Sequence, residues 1–171
     1  MARSWGCYPR ESDATHPLRQ VIHRFKYGRQ ASLGKPLGRL MARACQPWEG
    51  DSGFDLIIPV PLHPRRLRWR GFNQSVLLGR EVGRGWGVTI DPFVLTRKTE
   101  TAPQSTLSLR ERGPNVRGAF AIAPGRAVAR TRVLLVDDIY TSGATLDECT
   151  RVLLHAGARE VRALTLARTV S

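Results

Sequence analysis

The sequence predicts an α/β fold, a parallel sheet flanked by helices, and three observations predict it. Residues 54–60, where Ile57 and Ile58 leave no polar alternation, and 133–136 read as buried strands, and 160–167 reads as a further strand. Stretches of helical period lie between and before them. Strands alternating with helices build parallel sheets, because a parallel connection needs a crossover long enough to hold a helix. A chain of 171 residues is enough for one sizeable core. We read residues 1–16 as an N-terminal extension and 17–171 as a single domain.

His16-Pro17 opens the first helix, since proline is tolerated in a first turn, and Leu18, Val21, Ile22 and Phe25 mark its inner face up to Gly28. Pro36 begins a second helix with Leu37, Leu40, Met41 and Ala44 inward. Asp51-Ser52-Gly53 is a turn, and Phe54 to Val60 a buried strand. Pro61 to Asn73 reads as a loop holding an arginine knot. Gln74 to Trp86 is helical, with Val76, Leu77, Val82 and Trp86 as apolar positions. Val88 to Thr96 reads as a strand broken at Asp91-Pro92, and Thr99 to Asn115 as a mobile loop. Gly118 to Ile122 and Val133 to Val136 are short strands, with a turn at Pro124-Gly125. Gly143 to Ala156 is a helix with Leu146, Cys149, Val152, Leu153 and Ala156 on one face, and Gly157 caps it. Glu160 to Ala167 is the last strand.

Composition narrows the function classes. With 42% hydrophobic and 24% charged residues the chain is neither a disordered tail nor a fibre. Leu56 to Leu62 is too short an apolar run to span a bilayer, and Met1 to Asp13 has no secretory apolar core, so the cytoplasm is the default expectation. Cys7, Cys45 and Cys149 form no Cys-x-x-Cys pair, which favours reduced, buried thiols over zinc or redox chemistry. The formal net charge is +13 and is mostly arginine, with one dense knot at Arg65, Arg66, Arg68 and Arg70. Such a charge attracts polyanions, either nucleic acid or a polyphosphorylated small molecule, although a solvated basic surface reads the same way.

Ligands of parallel α/β sheets bind beyond the carboxyl ends of the strands. After 133–136 the chain runs Asp137-Asp138-Ile139-Tyr140-Thr141-Ser142-Gly143-Ala144-Thr145. A helix start offers unpaired N–H groups and about half a positive charge, which suits a phosphate. Gly143 allows close backbone approach, and Thr141, Ser142 and Thr145 add hydroxyl donors. The two acids would repel that phosphate, but one position along they can accept hydrogen bonds from ribose hydroxyls. The spacing therefore describes a ribose 5-phosphate holder. Helix caps at Thr141 and Ser142, or a metal clasp at Asp137-Asp138, are the alternatives.

Val136 through Thr145 resembles the phosphoribosyl pyrophosphate (PRPP) signature of type I phosphoribosyltransferases. Other segments resemble one branch, the ComF-like proteins linked to DNA uptake. These are Phe25-Lys26-Tyr27-Gly28, Ile58 to Pro64, Arg70-Gly71-Phe72-Asn73-Gln74, Thr101 with Gln104, Arg112 with Asn115, and Phe120. The likeness covers about Leu18 to Arg168. Members commonly begin with a four-cysteine zinc-binding segment, whereas only Cys7 stands here, so zinc is not expected.

The resemblance implies a type I phosphoribosyltransferase-like sheet with a flexible loop and a small hood. It implies displacement of pyrophosphate from PRPP by a nitrogen acceptor, with Mg2+ carried on the substrate rather than held directly by the protein. Asp137 and Asp138 would be the catalytic pair on the ribose hydroxyls, and Asp137, Asp138, Thr141, Ser142, Gly143, Ala144 and Thr145 the ribose-5-phosphate site. Lys26, Arg65, Arg66 and Arg70 would meet the pyrophosphate, although a lysine at a helix C-terminus is also favoured by the dipole alone. Arg97, Lys98 and Arg112 would be the cations of a closing loop. Trp48, Trp69 and Trp86 read as core or rim rather than as a base-stacking platform. The acceptor stays unnamed, because no residue specifies a purine, a pyrimidine or an amine. Two further readings stay open: a nucleic-acid-binding accessory of DNA uptake, with nucleic acid or DNA-uptake proteins as partners, and a non-catalytic PRPP sensor. A homo-oligomer is left open as well.

Overall fold

The computed structural model describes residues 2–8, 16–45, 53–101 and 108–169. The elements run β1 (Ala2–Tyr8), α1 (Pro17–Lys26), a 3-10 turn (Ala31–Leu33), α2 (Gly34–Ala44), β2 (Leu56–Pro59), α3 (Pro64–Arg70) and α4 (Gln74–Trp86). Then come β3 (Leu95–Arg97), α5 (Leu109–Val116), β4 (Phe120–Ile122), β5 (Arg132–Tyr140), α6 (Ala144–His155) and β6 (Glu160–Thr169). Four strands pair in the order β1-β6-β5-β2, and every pairing is parallel. β3 and β4 form a separate antiparallel ribbon. The predicted parallel sheet flanked by helices is therefore the fold.

β5 is buried on both faces, and its period of two divides the core. Leu134 and Val136 face α1, α2 and α4, where Phe25, Met41 and Leu78 pack. Val133 and Leu135 face α6, where Leu146, Cys149 and Leu153 pack. α2 lies close against α4 because Gly38 has no side chain: a Cβ there would stand 2.7 Å from Glu81 Cβ. The inner face of α2 is accordingly Gly34, Leu37, Gly38 and Met41. Leu40 and Ala44, read as inward, are exposed, because the tight glycine seam rotates the contact stripe past them.

Several boundaries differ from the sequence reading. The arginine knot is not a loop but helix α3: His63 caps it through Nδ1, Pro64 starts it, and Gly71 ends it at φ 85°. On α4, Leu78 is fully buried while Val76 and Leu77 are only partly so. Within 88–96, Ile90 makes only a bridge to Ile57, Asp91 turns the chain by accepting from the Phe93 N–H, and the strand proper is 95–97. The expected loop 99–115 contains α5, begun by a reciprocal capping box between Ser108 and Glu111. Residues 102–107, with Gln104, lie outside the described residues, as do Trp48 and the turn residues Asp51 and Ser52. Residues 2–8, given no element from sequence, pair with β6 from Ala2↔Ala163 to Tyr8↔Thr169. β5 continues four residues beyond Val136 and so carries the paired acids inside the strand. No helix among the described residues is long and apolar enough to cross a membrane.

Candidate functional site

The acids sit where β5 leaves the sheet centre. Asp137 is in register with Thr165 of β6, still within the ladder. Successive strand residues point to opposite faces, so the neighbours have different surroundings. Asp138 turns toward α1 and α4 and is only 4% exposed. Its Oδ1 lies 2.9 Å from Lys26 Nζ, and its Oδ2 accepts from Gln74 Nε2 at 2.7 Å. Asp137 is partly buried; its Oδ1 accepts from Ser75 Oγ at 3.0 Å and from the Asp138 N–H at 2.8 Å. Burial, with the Asp138 charge beside it, pushes the Asp137 carboxyl up to about 7.

Gln74 and Ser75 were missed from sequence as site residues. Asn73 caps α4 by accepting from the Ser75 N–H at 2.9 Å, and also donates from Nδ2 to the Val60 carbonyl at 3.0 Å. That double anchor sets the first turn of α4 against the end of β5. The available signal was an Asn N-cap directly followed by two polar residues in an otherwise apolar helical face.

The phosphate-type turn follows. Gly143 has φ +81°, and a Cβ there would stand 2.8 Å from Tyr140 Oη. It is the N-cap of α6 and supplies no side-chain cap. Ser142 Oγ accepts from the Ala144 N–H at 3.4 Å, a long contact, while Asp147 N–H bonds back to the Gly143 carbonyl at 2.8 Å. Thr141, Ser142, Ala144 and Thr145 are all partly exposed, so the turn faces solvent. A cleft of about 640 Å³ opens beside it, with Ser142, Ala144 and Asp147 on one wall and Pro114 and Arg117 on the other.

The predicted cations divide into groups. Arg65 Nη1 bonds Glu100 at 2.7 Å, Arg66 Nη2 bonds the Thr101 carbonyl at 3.4 Å, and Arg97 bonds Thr101 Oγ1. The arginine helix and the segment after β3 are thus clasped together. Arg70 makes no bond in that clasp among the described residues, and its guanidinium stacks 5.6 Å from the Tyr27 ring. Arg97 stacks 5.2 Å from Phe120. Both guanidiniums are buried, at 6% and 8% exposure, and each has an Nε with no hydrogen-bond partner among the described residues. Burial lowers both pKa values; the Asp138 charge opposes this at Arg70, while Arg66 adds to it at Arg97. Lys26 is engaged by Asp138 rather than extended toward the arginines. Lys98 has an exposed side chain, and its N–H bonds the Ala119 carbonyl at 2.8 Å. The side chain of Arg112 lies outside the described residues. Cys45 and Cys149 are buried and form no disulfide among the described residues.

The chain is similar to known proteins. Residues 93–170 match the phosphoribosyl transferase domain family. DNA utilization protein YhgH of Escherichia coli strain K12 is 35% identical over 162 residues, covering 93% of this chain and 70% of that protein. Competence protein F of Haemophilus influenzae is 34% identical over 156 residues, covering 89% and 68%. Among solved structures, the glutamine PRPP amidotransferase of B. subtilis superposes with a TM-score of 0.51 at 24% identity over 79% of this chain and 26% of its own. The adenine phosphoribosyltransferase of Leishmania tarentolae superposes with a TM-score of 0.50 at 12% identity over 91% and 89%. At those identities the likeness to solved structures concerns the fold alone.

Proposed function

This chain belongs to the ComF-like branch of the phosphoribosyltransferase family, and we propose that it binds PRPP with Mg2+ and transfers the phosphoribosyl group to a nitrogen acceptor. One observation carries the reading: within six residues the chain passes from a carboxylate pair to a solvent-facing helix start with no side-chain cap at Gly143. The names of its relatives support a place in DNA uptake.

The roles follow from charge. The first turn of α6, with Thr141, Ser142 and Thr145, takes the 5-phosphate. Asp137 has an oxygen, Oδ2, with no partner among the described residues, and takes a ribose hydroxyl. Asp138 has one partner on each oxygen and is only 4% exposed, so the sugar reaches it less readily than Asp137. Arg66, Arg70 and Arg97 meet the leaving pyrophosphate, and the Nε–H groups of Arg70 and Arg97, without partners among the described residues, are buried donors for it. The C1–O bond breaks with its electron pair leaving on pyrophosphate, the acceptor nitrogen forms the C1–N bond, and the acceptor loses a proton. A carboxyl held near 7, as Asp137 is, suits that proton.

The donors fit Mg2+, a hard cation that keeps waters and binds through one or two carboxylates plus substrate phosphates. The diphosphate oxygens and, through water, Asp137 would hold it. When bound, it supplies charge neutralisation at the leaving group.

Calorimetry with PRPP and Mg2+ tests the site. Binding should be lost or strongly weakened in Asp137→Asn/Asp138→Asn, and undiminished binding there overturns the assignment. A screen of nucleobases read by pyrophosphate release tests the transfer step: release with any of them rejects a silent sensor, and none despite PRPP binding supports one.

A further inference from the structure

The proposed site gives Asp137 a duty and leaves Ser75 without one. Ser75 is 1% exposed, and its Oγ donates to Asp137 Oδ1 at 3.0 Å. Packing does not call for that hydroxyl, since alanine is the better helix former and buries nothing polar. Other bonds hold Ser75 in place. Its N–H donates to Asn73 Oδ1 at 2.9 Å, and Asn73 Nδ2 donates to the Val60 carbonyl at 3.0 Å. The Val60 N–H in turn donates to the Val136 carbonyl at 2.9 Å. Val136 is the residue before Asp137, so these bonds close a ring. It runs from β5 through the end of β2 and the start of α4 and returns to the Asp137 carboxylate.

The ring decides where that carboxylate points. The last torsion of an aspartate side chain is broad, so one local bond, from the Asp138 N–H at 2.8 Å, leaves the carboxylate plane free to swing. A second donor on the same oxygen, from a different element, removes that freedom. Both donors take Oδ1, which leaves Oδ2 for a ligand, and Asp137 is the less buried of the two acids. The neighbouring Gln74 is committed to Asp138 and cannot stand in for Ser75. Fixing a polar group before its ligand arrives removes part of the ordering cost of binding. We propose that Ser75 is a positioning residue: through Asp137 Oδ1 it presents Oδ2 to a sugar hydroxyl, and with Asn73 behind it sets the preference of the site for a sugar phosphate over a bare phosphate. This rests on the reading of Asp137 as the acid that meets the sugar.

Calorimetry with ribose 5-phosphate and with inorganic phosphate tests it, on the whole chain. Both probes use the start of α6, and only the first carries hydroxyls for Asp137. The parent should bind ribose 5-phosphate more tightly than phosphate. Ser75→Ala should lower that ratio about fivefold by weakening ribose 5-phosphate alone. Ser75→Cys, which fills the space with a weaker donor, should fall between the two, and Asn73→Ala should shift the ratio in the same direction. In an Asp137→Asn background, Ser75→Ala should leave the ratio where Asp137→Asn alone puts it. An equal loss for both probes in Ser75→Ala is the mark of a loosened helix and overturns the proposal. A ratio unchanged in Ser75→Ala, or a further fall in the double variant, overturns it as well while the sugar reading of Asp137 stands. A parent with no preference between the probes sinks that reading and the proposal together. Circular dichroism melts superposing on the parent ensure that the comparison is between folded proteins.

Discussion

Lys26 Nζ lies 2.9 Å from Asp138 Oδ1 and so ties the C-terminal end of α1 to the far end of β5. The pair is largely desolvated, at 18% and 6% side-chain exposure, and Gln74 completes the carboxylate's hydrogen bonding. A buried pair contributes little when intact, because desolvation offsets attraction, but breaking it strands a charge.

Lys26→Met should therefore lower stability by about 3 kcal/mol. The partner substitution Asp138→Asn in the Lys26→Met background should recover part of the loss. Urea unfolding of the two single variants and the double variant measures the coupling, and additive losses would contradict the pairing.

Gln74→Leu keeps the bulk of the side chain and removes its bond to Asp138. The expected cost is about 1–3 kcal/mol, the desolvation penalty of a buried acceptor left short of a donor. The thermal midpoint should fall, and PRPP affinity should change as well if Asp138 faces the sugar.

Asp137 gives a pH signature. Its carboxyl is raised from 3.8 to about 7 by burial, so the unfolded chain ionises first. The stabilising contribution of the neutral form is complete below about 3.8 and is lost as pH rises through about 7. Asp137→Asn should be relatively more stable than the parent at pH 8 than at pH 4, read as the difference in urea midpoints.

Asp55 gives the opposite sign. Its side chain accepts from Arg132, at 2.8 Å from Nη2 and 2.7 Å from the backbone N–H, and its pKa falls from 3.8 to about 2. The contribution is present above about 3.8 and is lost as pH falls through about 2. Asp55→Asn should flatten the acid limb of the stability profile and leave the region above pH 5 parallel to the parent.

Gly143→Ala should cost about 1–2 kcal/mol from the left-handed backbone alone. The added methyl also meets Tyr140 Oη. In a Tyr140→Ala background, where the hydroxyl and the ring atoms at 3.1 and 3.2 Å are all gone, the steric share should disappear and the conformational share remain, so rescue should be partial. Thermal melts of the three variants separate the two.

The sheet strands were legible because β2, β5 and β6 are covered on both faces, which demands near-continuous apolar runs whatever the chain does elsewhere. α4 was legible at both ends, from Gln74 to Trp86. α3 was not, since a seven-residue helix with four arginines shows no apolar stripe; its signals were Pro64 at the start and Gly71 at the end. α5 was hidden in the same way by polarity, and only its Ser108–Glu111 capping box marked it.

What the sequence determined by itself was the succession α1, α2, β2, α4, β5, α6 and β6 and the local run from Asp137 to Thr145, because helix starts, glycine turns and buried strands are written in neighbouring residues. What only the tertiary structure decided was how far β5 continues, which acid each neighbour holds, and where each arginine goes. Asp138 is closed by Lys26 and Gln74, 112 and 64 positions away in the chain. Arg65 and Arg66 join the segment after β3, while Arg70 joins Tyr27. Pairings over such separations carry no local period. They are set by which side chains the packed elements bring within about 3 Å once water is excluded, when a buried charge must find a partner.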